Sequence, residues 1–355
     1  MDLTPKCKVC SGRNAFNGCK SWEGGVSKKM DEAMSQTYDV NLNSRSDVRW
    51  YGAPHNHQDC DVKQEFSIKD LENLSGVKAH TIRAWEQRYN LLNPSRSQTN
   101  IRTYSGEDLK RLLNVSLLLE RGMKISKVAA LSEVELTRAV NEAPAQNPDA
   151  GELVAQQKLK VSMMSYDEAL FRETMDDCIE RLGFATTVVT VCLPFLADVG
   201  VLWQTNAICP ANEYFMSNLL RQMLYAQIHD APVPNEDGDE VLVLYLPERE
   251  IHDISLLFVH QLCRQHGRRS VLLGQSVPFD DLAGVASQFE KVSFVTYCTT
   301  SPADHQAQAY VDRIARTFAG TNVNFHLAGS VFRKAQPAPG VTIDITGGDL
   351  VQRLF

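Results

Sequence analysis

Basic and hydrogen-bonding side chains are concentrated between Phe66 and Leu131. This segment holds 11 Lys and Arg against 6 Asp and Glu, whereas the whole chain carries a net charge of −7. Positive charge gathered in one part of an acidic chain indicates a surface that binds phosphate. The side chains form a recognition set and a wing set. The recognition set is Lys78, His80, Thr81, Arg83 and Arg88, and the wing set is Arg96, Asn100, Arg102 and Tyr104.

Two short amphipathic segments on either side of a turn must position the recognition set. Ser67, followed three residues later by Asp70, is a helix N-terminus signal. Gly76 permits the positive φ that a tight turn needs. A second helix is then predicted over residues 77–89, with the recognition set near its exposed N-terminal half. Together with the hairpin-like stretch that carries the wing set, this pattern predicts a winged helix-turn-helix domain of the all-α class, with a basic wing.

The run TIRAWEQRYNLLNPSRSQTNIRTYS within this segment resembles the MerR family of winged-helix transcription regulators. The resemblance implies that the recognition set faces DNA and that the wing set grips the DNA backbone. Trp85 and Tyr104 also have an ordinary interpretation as packing residues. We therefore predict a sequence-specific DNA-binding domain over residues 65–131, with double-stranded operator DNA as its partner.

The first 64 residues are polar and have little periodicity, so we predict that they are mostly disordered. They contain a CxxC pair and further potential zinc ligands, namely Cys7, Cys10, Cys19, His55, His57 and Cys60. No second pair follows at zinc-finger spacing, so zinc is the less favoured interpretation. The opening residues, MDLTPKCKVC, lack the apolar run of a secretory signal. We expect a cytoplasmic protein.

Residues 132–151 lose apolar density and are interpreted as a linker. This stretch is too short and too polar for the long dimerisation helix of many metal-sensing MerR proteins. Any assembly into a dimer or tetramer must therefore come from elsewhere in the chain.

Residues 152–232 show helical periodicity throughout and predict a four-helix bundle. The most apolar stretch, from Phe184 to Trp203, is interrupted by Pro194 and Asp198. We interpret it as a buried helix pair rather than a membrane span.

Residues 238–355 change period. Short apolar runs, VLVLYLP, SVLLG, VSFVTYC, VNFHLAG and VTIDI, alternate with helical patterns. Strands that alternate with helices predict a parallel sheet covered on both faces. Five such strands favour a flavodoxin-like doubly wound α/β domain, whose ligand lies beyond the carboxyl ends of the strands.

A helical cap followed by an open α/β domain, with Glu250 and His252 after the first strand, resembles the cobalamin-binding module and its ExHxxG signature. Ser255 stands where that signature has its glycine, and Ala328–Gly329–Ser330 is one glycine short of the family's later turn. The resemblance implies that His252 binds cobalt while Glu250 holds the other ring nitrogen. Ser255 and Gly329 would line the entry of the cofactor's tail.

The cap resembles that of light-sensing, cobalamin-dependent MerR regulators. These carry a Trp, nine residues, and then Glu-His above the cofactor. Trp203 and Glu213 keep this spacing, but Tyr214 replaces the His. The resemblance places all three beside the cofactor, and Tyr214 argues against a light response. Trp203 and His252 also have ordinary interpretations, as a core aromatic residue and a helix-start residue.

These observations predict a transcription regulator that is not an enzyme, with a cobalamin-type sensor. Two alternatives remain at this point. In the first, the C-terminal module is degenerate, binds no ligand and serves only oligomerisation. In the second, the chain is a corrinoid-dependent enzyme component such as a methyl carrier. The DNA-binding segment argues against the carrier, because a carrier needs no DNA reader.

Overall fold

The computed structural model describes residues 65–96, 100–120, 122–142, 151–204, 207–234 and 240–355. The prediction of disorder in residues 1–64, and the less favoured interpretation of this segment as a zinc site, fall outside the described residues. The first unit comprises β1 (Glu65–Phe66), α1 (Ile68–Ser75), α2 (Ala79–Tyr89), β2 (Ser95–Arg96), β3 (Arg102–Ser105), α3 (Gly106–Glu120) and α4 (Ile125–Val128). Its strands pair antiparallel in the order β1-β3-β2. The expectation of an all-α unit therefore needs correction, because a small sheet accompanies the helices.

Local signals fix the ends of α1. The Asp70 amide donates to Ser67 Oγ at 3.2 Å, and the Ser67 amide donates to Asp70 Oδ2 at 2.8 Å, which forms a capping box. Gly76 closes the helix with a φ of 72°, in the left-handed region that glycine adopts without strain. These contacts confirm the boundaries predicted from the sequence.

The interpretation of residues 132–151 as a linker is wrong in its first half. Helix α5 spans Glu133–Glu142 and buries Leu136 and Val140. The helix packs against α3. Its apolar residues are four positions apart, so they share one face although the segment is polar on average.

The bundle comprises α6 (Gly151–Ser165), α7 (Glu168–Leu182), α8 (Phe184–Thr187), a π-helical turn (Val188–Cys192), α9 (Leu193–Gln204) and α10 (Pro210–Asp230). Helix α6 packs against α3, so the bundle is joined directly to the first unit.

The apolar stretch is one continuous helical run rather than the expected pair, because a π-helical turn precedes Pro194. Proline cannot donate to the carbonyl of Thr190, four residues earlier. Gln156 Nε2 from α6 donates to that carbonyl instead, at 3.1 Å. The segment Phe184–Leu202 has a mean hydropathy of 1.9 and is long enough to cross a membrane, but half of it is buried inside the protein.

The C-terminal unit is a five-stranded parallel sheet with flanking helices. Its strands are β4 (Val241–Pro247), β5 (Ser270–Val277), β6 (Val292–Tyr297), β7 (Val323–Ala328) and β8 (Val341–Asp344). Its helices are α11 (Ile254–Gln265), α12 (Asp281–Ala286), α13 (Ala307–Thr317) and α14 (Gly347–Leu354). The strand order β5-β4-β6-β7-β8 is the flavodoxin-like order predicted from the sequence. One hydrophobic core runs from the first unit through the bundle to one face of this sheet, and a second core covers the other face.

Candidate functional site

The carboxyl ends of β4 and β6 form the candidate ligand site. Strand order reverses between these two neighbours, since β5 lies on one side of β4 and β6 lies on the other. Loops after strands on either side of such a switch point diverge and leave a crevice. Glu250 and His252 follow β4, and Thr299 to Ser301 follow β6, so all of these residues lie at the crevice.

Glu250 is the centre of this site and has none of its surface exposed. Its Oε2 accepts from the backbone amides of Thr299, Thr300 and Ser301, at 2.9, 2.6 and 2.9 Å. Burial by itself would favour the neutral acid. Two effects outweigh burial and lower the pKa of Glu250 to about 2. One is the hydrogen bond and the charge of His252, and the other is the set of hydrogen bonds from backbone amides. The site therefore holds a carboxylate at neutral pH.

His252 is held by this carboxylate at the surface of the crevice. Its Nδ1 lies 2.5 Å from Glu250 Oε1, and 27% of its side chain is exposed. A carboxylate that occupies one ring nitrogen fixes the orientation of the ring and directs the other nitrogen, Nε2, to a metal. The structure thus brings together the two residues that the sequence singled out.

The bundle helix α10 lies against the same loop. Arg221 Nε donates to Asp253 Oδ1 at 2.7 Å, and Gln275 Nε2 donates to Asp253 Oδ2 at 2.7 Å. Burial raises the pKa of Glu213, and the charge of His252 opposes this rise. Tyr214 is exposed over 45% of its surface. Glu213 and Tyr214 lie near the start of α10, the helix that packs against α11 beside this loop.

Trp203 lies near the end of α9, and its side chain is outside the described part of the structure. Ser255 is the second residue of α11 and is buried. Gly329 has a φ of 115°, and a Cβ there would lie 2.0 Å from the carbonyl oxygen of Cys298. The protein's own backbone thus explains this glycine, whereas a contact with a cofactor's tail stays a prediction.

The recognition set lies on and just before α2. Lys78 is the N-cap residue, and its ammonium pairs with Glu72 at 3.2 Å. His80, Arg83 and Arg88 are exposed, and Thr81 is half-buried. The recognition set is therefore available at the surface, as expected, although Lys78 already has an acidic partner.

The wing set divides into two groups. Arg96 is exposed, and its Nη1 donates to Asn100 Oδ1 at 2.6 Å across the hairpin. Arg102 Nε donates to Glu86 Oε1 at 3.1 Å, and the Tyr104 hydroxyl donates to Glu86 Oε2 at 2.8 Å. Tyr104 is fully buried, so its prediction as a DNA-backbone contact is wrong. Strand alternation turns it toward α2, where its ring joins the core.

Sequence reasoning missed several residues of both sites: Glu86, Arg221, Asp253, Gln275, Thr299, Thr300 and Ser301. A polar run directly after the buried strand VSFVTYC was a usable signal for the last three. Period-2 spacing of Arg102 and Tyr104 was a signal that both face α2. Arg221 on α10 and Gln275 on β5 are marked by no comparable local pattern in the sequence.

Comparison with known proteins gives two family matches. Residues 66–134 match the MerR HTH family regulatory protein model, and residues 155–226 match the B12 binding domain model. The HTH-type transcriptional repressor CarH of Myxococcus xanthus is 28% identical over 259 residues, which are 72% of this chain and 85% of that protein. The repressor CarA of the same organism is 29% identical over 223 residues, which are 62% of this chain and 72% of CarA.

Among solved structures, the monomethylamine corrinoid protein of Methanosarcina barkeri is similar to this chain, with 15% identity and a TM-score of 0.44. The match covers 56% of this chain and 97% of that chain.

Proposed function

We propose that this chain, which carries a MerR-type DNA-binding domain followed by a B12-binding domain, reads operator DNA with α2 and its wing. We further propose that it senses a cobalamin held between the bundle and the parallel sheet. Both domains were predicted from the sequence, and the family matches over residues 66–134 and 155–226 support them. The two long matches are to transcriptional repressors, which agrees with the expectation that the chain is not an enzyme.

The arrangement of Glu250 and His252 at the switch point carries the cobalamin part of this proposal. A buried carboxylate at neutral pH holds Nδ1 of a partly exposed imidazole, which suits Nε2 for metal binding. His252 would hold the cobalt, and Glu213 and Tyr214 would line the cofactor from the cap. When bound, the cofactor would supply a cobalt ion with an exchangeable ligand. These residues fit that group, because the site offers one partly exposed imidazole held by a carboxylate rather than a closed set of ligands.

Exposed basic side chains carry the DNA part. Arg83 and Arg88 project from a helix whose length and position after a tight turn suit the major groove. Arg96 extends the basic surface along the hairpin, where Asn100 accepts its hydrogen bond. The recognition helix would read base edges, while the hairpin would contact the backbone.

Packing between the units offers a route for coupling. Helix α3 of the DNA-binding domain contacts α6 of the bundle, and α10 of the bundle contacts α11 beside the cofactor site. A cofactor that favours one position of the bundle relative to the α/β domain would shift the equilibrium between conformations that differ in how the DNA-binding domain is held. We propose that this occurs in a cytoplasmic homo-oligomer, either a dimer or a tetramer.

The test is a binding experiment with purified full-length protein. The protein is incubated in the dark with adenosylcobalamin or methylcobalamin, desalted, and its absorption spectrum is recorded. We expect a red protein, and we expect His252→Ala to lose the histidine-ligated spectrum and most of the affinity. Glu250→Ala removes the orienting contact and also leaves the amides of Thr299, Thr300 and Ser301 without their acceptor. Its loss of affinity should therefore be at least the 10–100-fold that is typical when an orienting partner is lost.

His229→Ala is the matched control, because His229 is an exposed histidine at the far end of α10. A colourless wild-type protein after desalting would contradict cobalamin binding and favour a ligand-free oligomerisation module.

A further inference from the structure

An acidic side chain joins the two elements that the proposed function presents to DNA. Glu86 lies on α2, and only 11% of its side chain is exposed. One carboxylate oxygen accepts from Arg102 and the other from Tyr104, so both oxygens are used by the wing strand β3. Glu86 therefore connects the recognition helix to the wing through two charge-assisted hydrogen bonds.

The wing depends on such an anchor because its own pairing is short. Among the described residues of the hairpin, strands β2 and β3 are joined through two residue pairs, Ser95 with Thr103 and Arg96 with Arg102. Strand β3 also pairs with β1, but in the part of the chain that the structure describes β2 lies at the edge of this small sheet and has β3 as its one neighbouring strand. Pairing this short is marginal in water unless the strands also pack on something else. The buried ring of Tyr104 supplies the packing, and Glu86 fixes the direction in which that ring and the Arg102 side chain point.

The charges support the same interpretation. A carboxylate on a DNA-binding helix repels phosphate, so by itself it weakens DNA binding. Here the charge of Glu86 is matched by the guanidinium of Arg102, while Arg83 and Arg88 remain exposed on the same helix. The pairing also reduces the positive charge that Arg102 can offer to a phosphate.

We propose that Glu86 is a positioning residue that fixes the angle between the wing and α2, and that Arg102 acts through Glu86 instead of contacting a DNA phosphate. This inference rests on the proposed DNA-binding function. It reverses the role that the sequence suggested for Arg102.

The test measures binding of the full-length chain to short duplex DNA of mixed sequence, by fluorescence anisotropy over a series of potassium chloride concentrations. Glu86→Gln should weaken binding by about tenfold, the size of one charge-assisted hydrogen bond. Glu107→Gln is the matched control, since it removes an exposed acid from the first turn of α3 and should bind at least as tightly as wild type.

Arg102→Gln should also weaken binding, with the same dependence of log affinity on log salt as wild type. Arg83→Gln should instead lower that slope by about 0.9, the value for one lost phosphate contact. The double variant of Glu86 and Arg102 should be no weaker than either single variant, because both changes remove the same contact.

Each result decides a specific point. Tighter binding by Glu86→Gln would overturn the positioning role, and a slope lowered by about 0.9 in Arg102→Gln would overturn the role given to Arg102.

Far-ultraviolet circular dichroism confirms that each variant is folded. If Glu86→Gln does not fold, Tyr104→Phe replaces it and should weaken binding without changing the slope, whereas wild-type affinity would overturn the proposal. A wild-type protein that binds no DNA would overturn the proposed function together with this inference.

Discussion

Glu250 shows how one residue is held in an unfavourable place by its surroundings. A fully buried carboxylate would ordinarily be neutral, yet five backbone amides and an imidazole donate to this one. The amides belong to two loops, after β4 and after β6. Ionisation of Glu250 therefore also holds these two loops together at the candidate cofactor site.

Replacing this carboxylate should change the acid stability of the protein. The pKa of Glu250 is about 2 in the folded protein, against an ordinary value of 4.5. The folded state thus binds the proton less well than the unfolded state. The resulting stabilisation, roughly 3 kcal/mol, is complete above about pH 4.5 and is lost as pH falls toward 2.

Thermal unfolding followed by circular dichroism should show a steeper fall of the melting temperature in wild type than in Glu250→Gln between pH 4.5 and 3. The exposed-acid variant Glu107→Gln should follow wild type. Parallel curves for wild type and Glu250→Gln would contradict this assignment.

Tyr214 should determine the response to light. A phenol is neutral at pH 7, since its reference pKa is about 10, and it is a poor replacement for an imidazole as a metal ligand. We expect the DNA affinity of the cobalamin-loaded protein to change little in green light, and we expect Tyr214→His to gain a response.

Anisotropy with operator DNA before and after illumination measures this effect, and Tyr214→Phe should behave as wild type. Release of DNA by illuminated wild-type protein would show that Tyr214 does not block the response.

At the scale of elements, α5 is the main departure from expectation. Its two buried residues, Leu136 and Val140, anchor it to α3, and Arg111 of α3 pairs with Glu133 at its first turn. Arg111 also donates to the carbonyls of Ala129 and Leu131. The helix is therefore an integral part of the DNA-binding domain.

Leu136→Ala should lower the free energy of unfolding of this domain by about 2–5 kcal/mol, because it removes a fully buried side chain. Val134→Ala, two positions away and 79% exposed, should change it by less than about 0.5 kcal/mol. Denaturant titration monitored by circular dichroism distinguishes the two. Equal, negligible effects would mean that the segment behaves as a linker after all.

At the scale of the whole molecule, the units are joined through helices rather than through a long coiled coil. Helix α5 has ten residues, which is too short for a stable isolated coiled coil. We therefore expect the bundle and the α/β domain to pair the DNA-binding domains.

A fragment of residues 65–149 should sediment as a monomer and bind operator DNA far more weakly than the full chain. A fragment of residues 151–355 should retain the oligomeric state of the full chain. Analytical ultracentrifugation measures both, and a stable dimer of the N-terminal fragment would overturn this assignment.

Local patterns in the sequence determined much of this protein. The capping box before α1, the glycine turn at Gly76 and the five Val-rich strands each depend on neighbours a few positions apart, so each could be predicted directly. The pair of Glu250 and His252 was equally local, because two positions separate them. Resemblance to known families then supplied their expected role.

Tertiary structure alone decided the contacts between distant segments. Glu86 meets Tyr104 across 18 positions, Gln156 meets Thr190 across 34, and Glu250 meets Thr300 across 50. Such contacts depend on the order of strands and the packing of helices, which no repeat in the sequence records. For this reason the sequence predicted that Tyr104 grips DNA, whereas the folded chain buries it and gives its hydroxyl to Glu86.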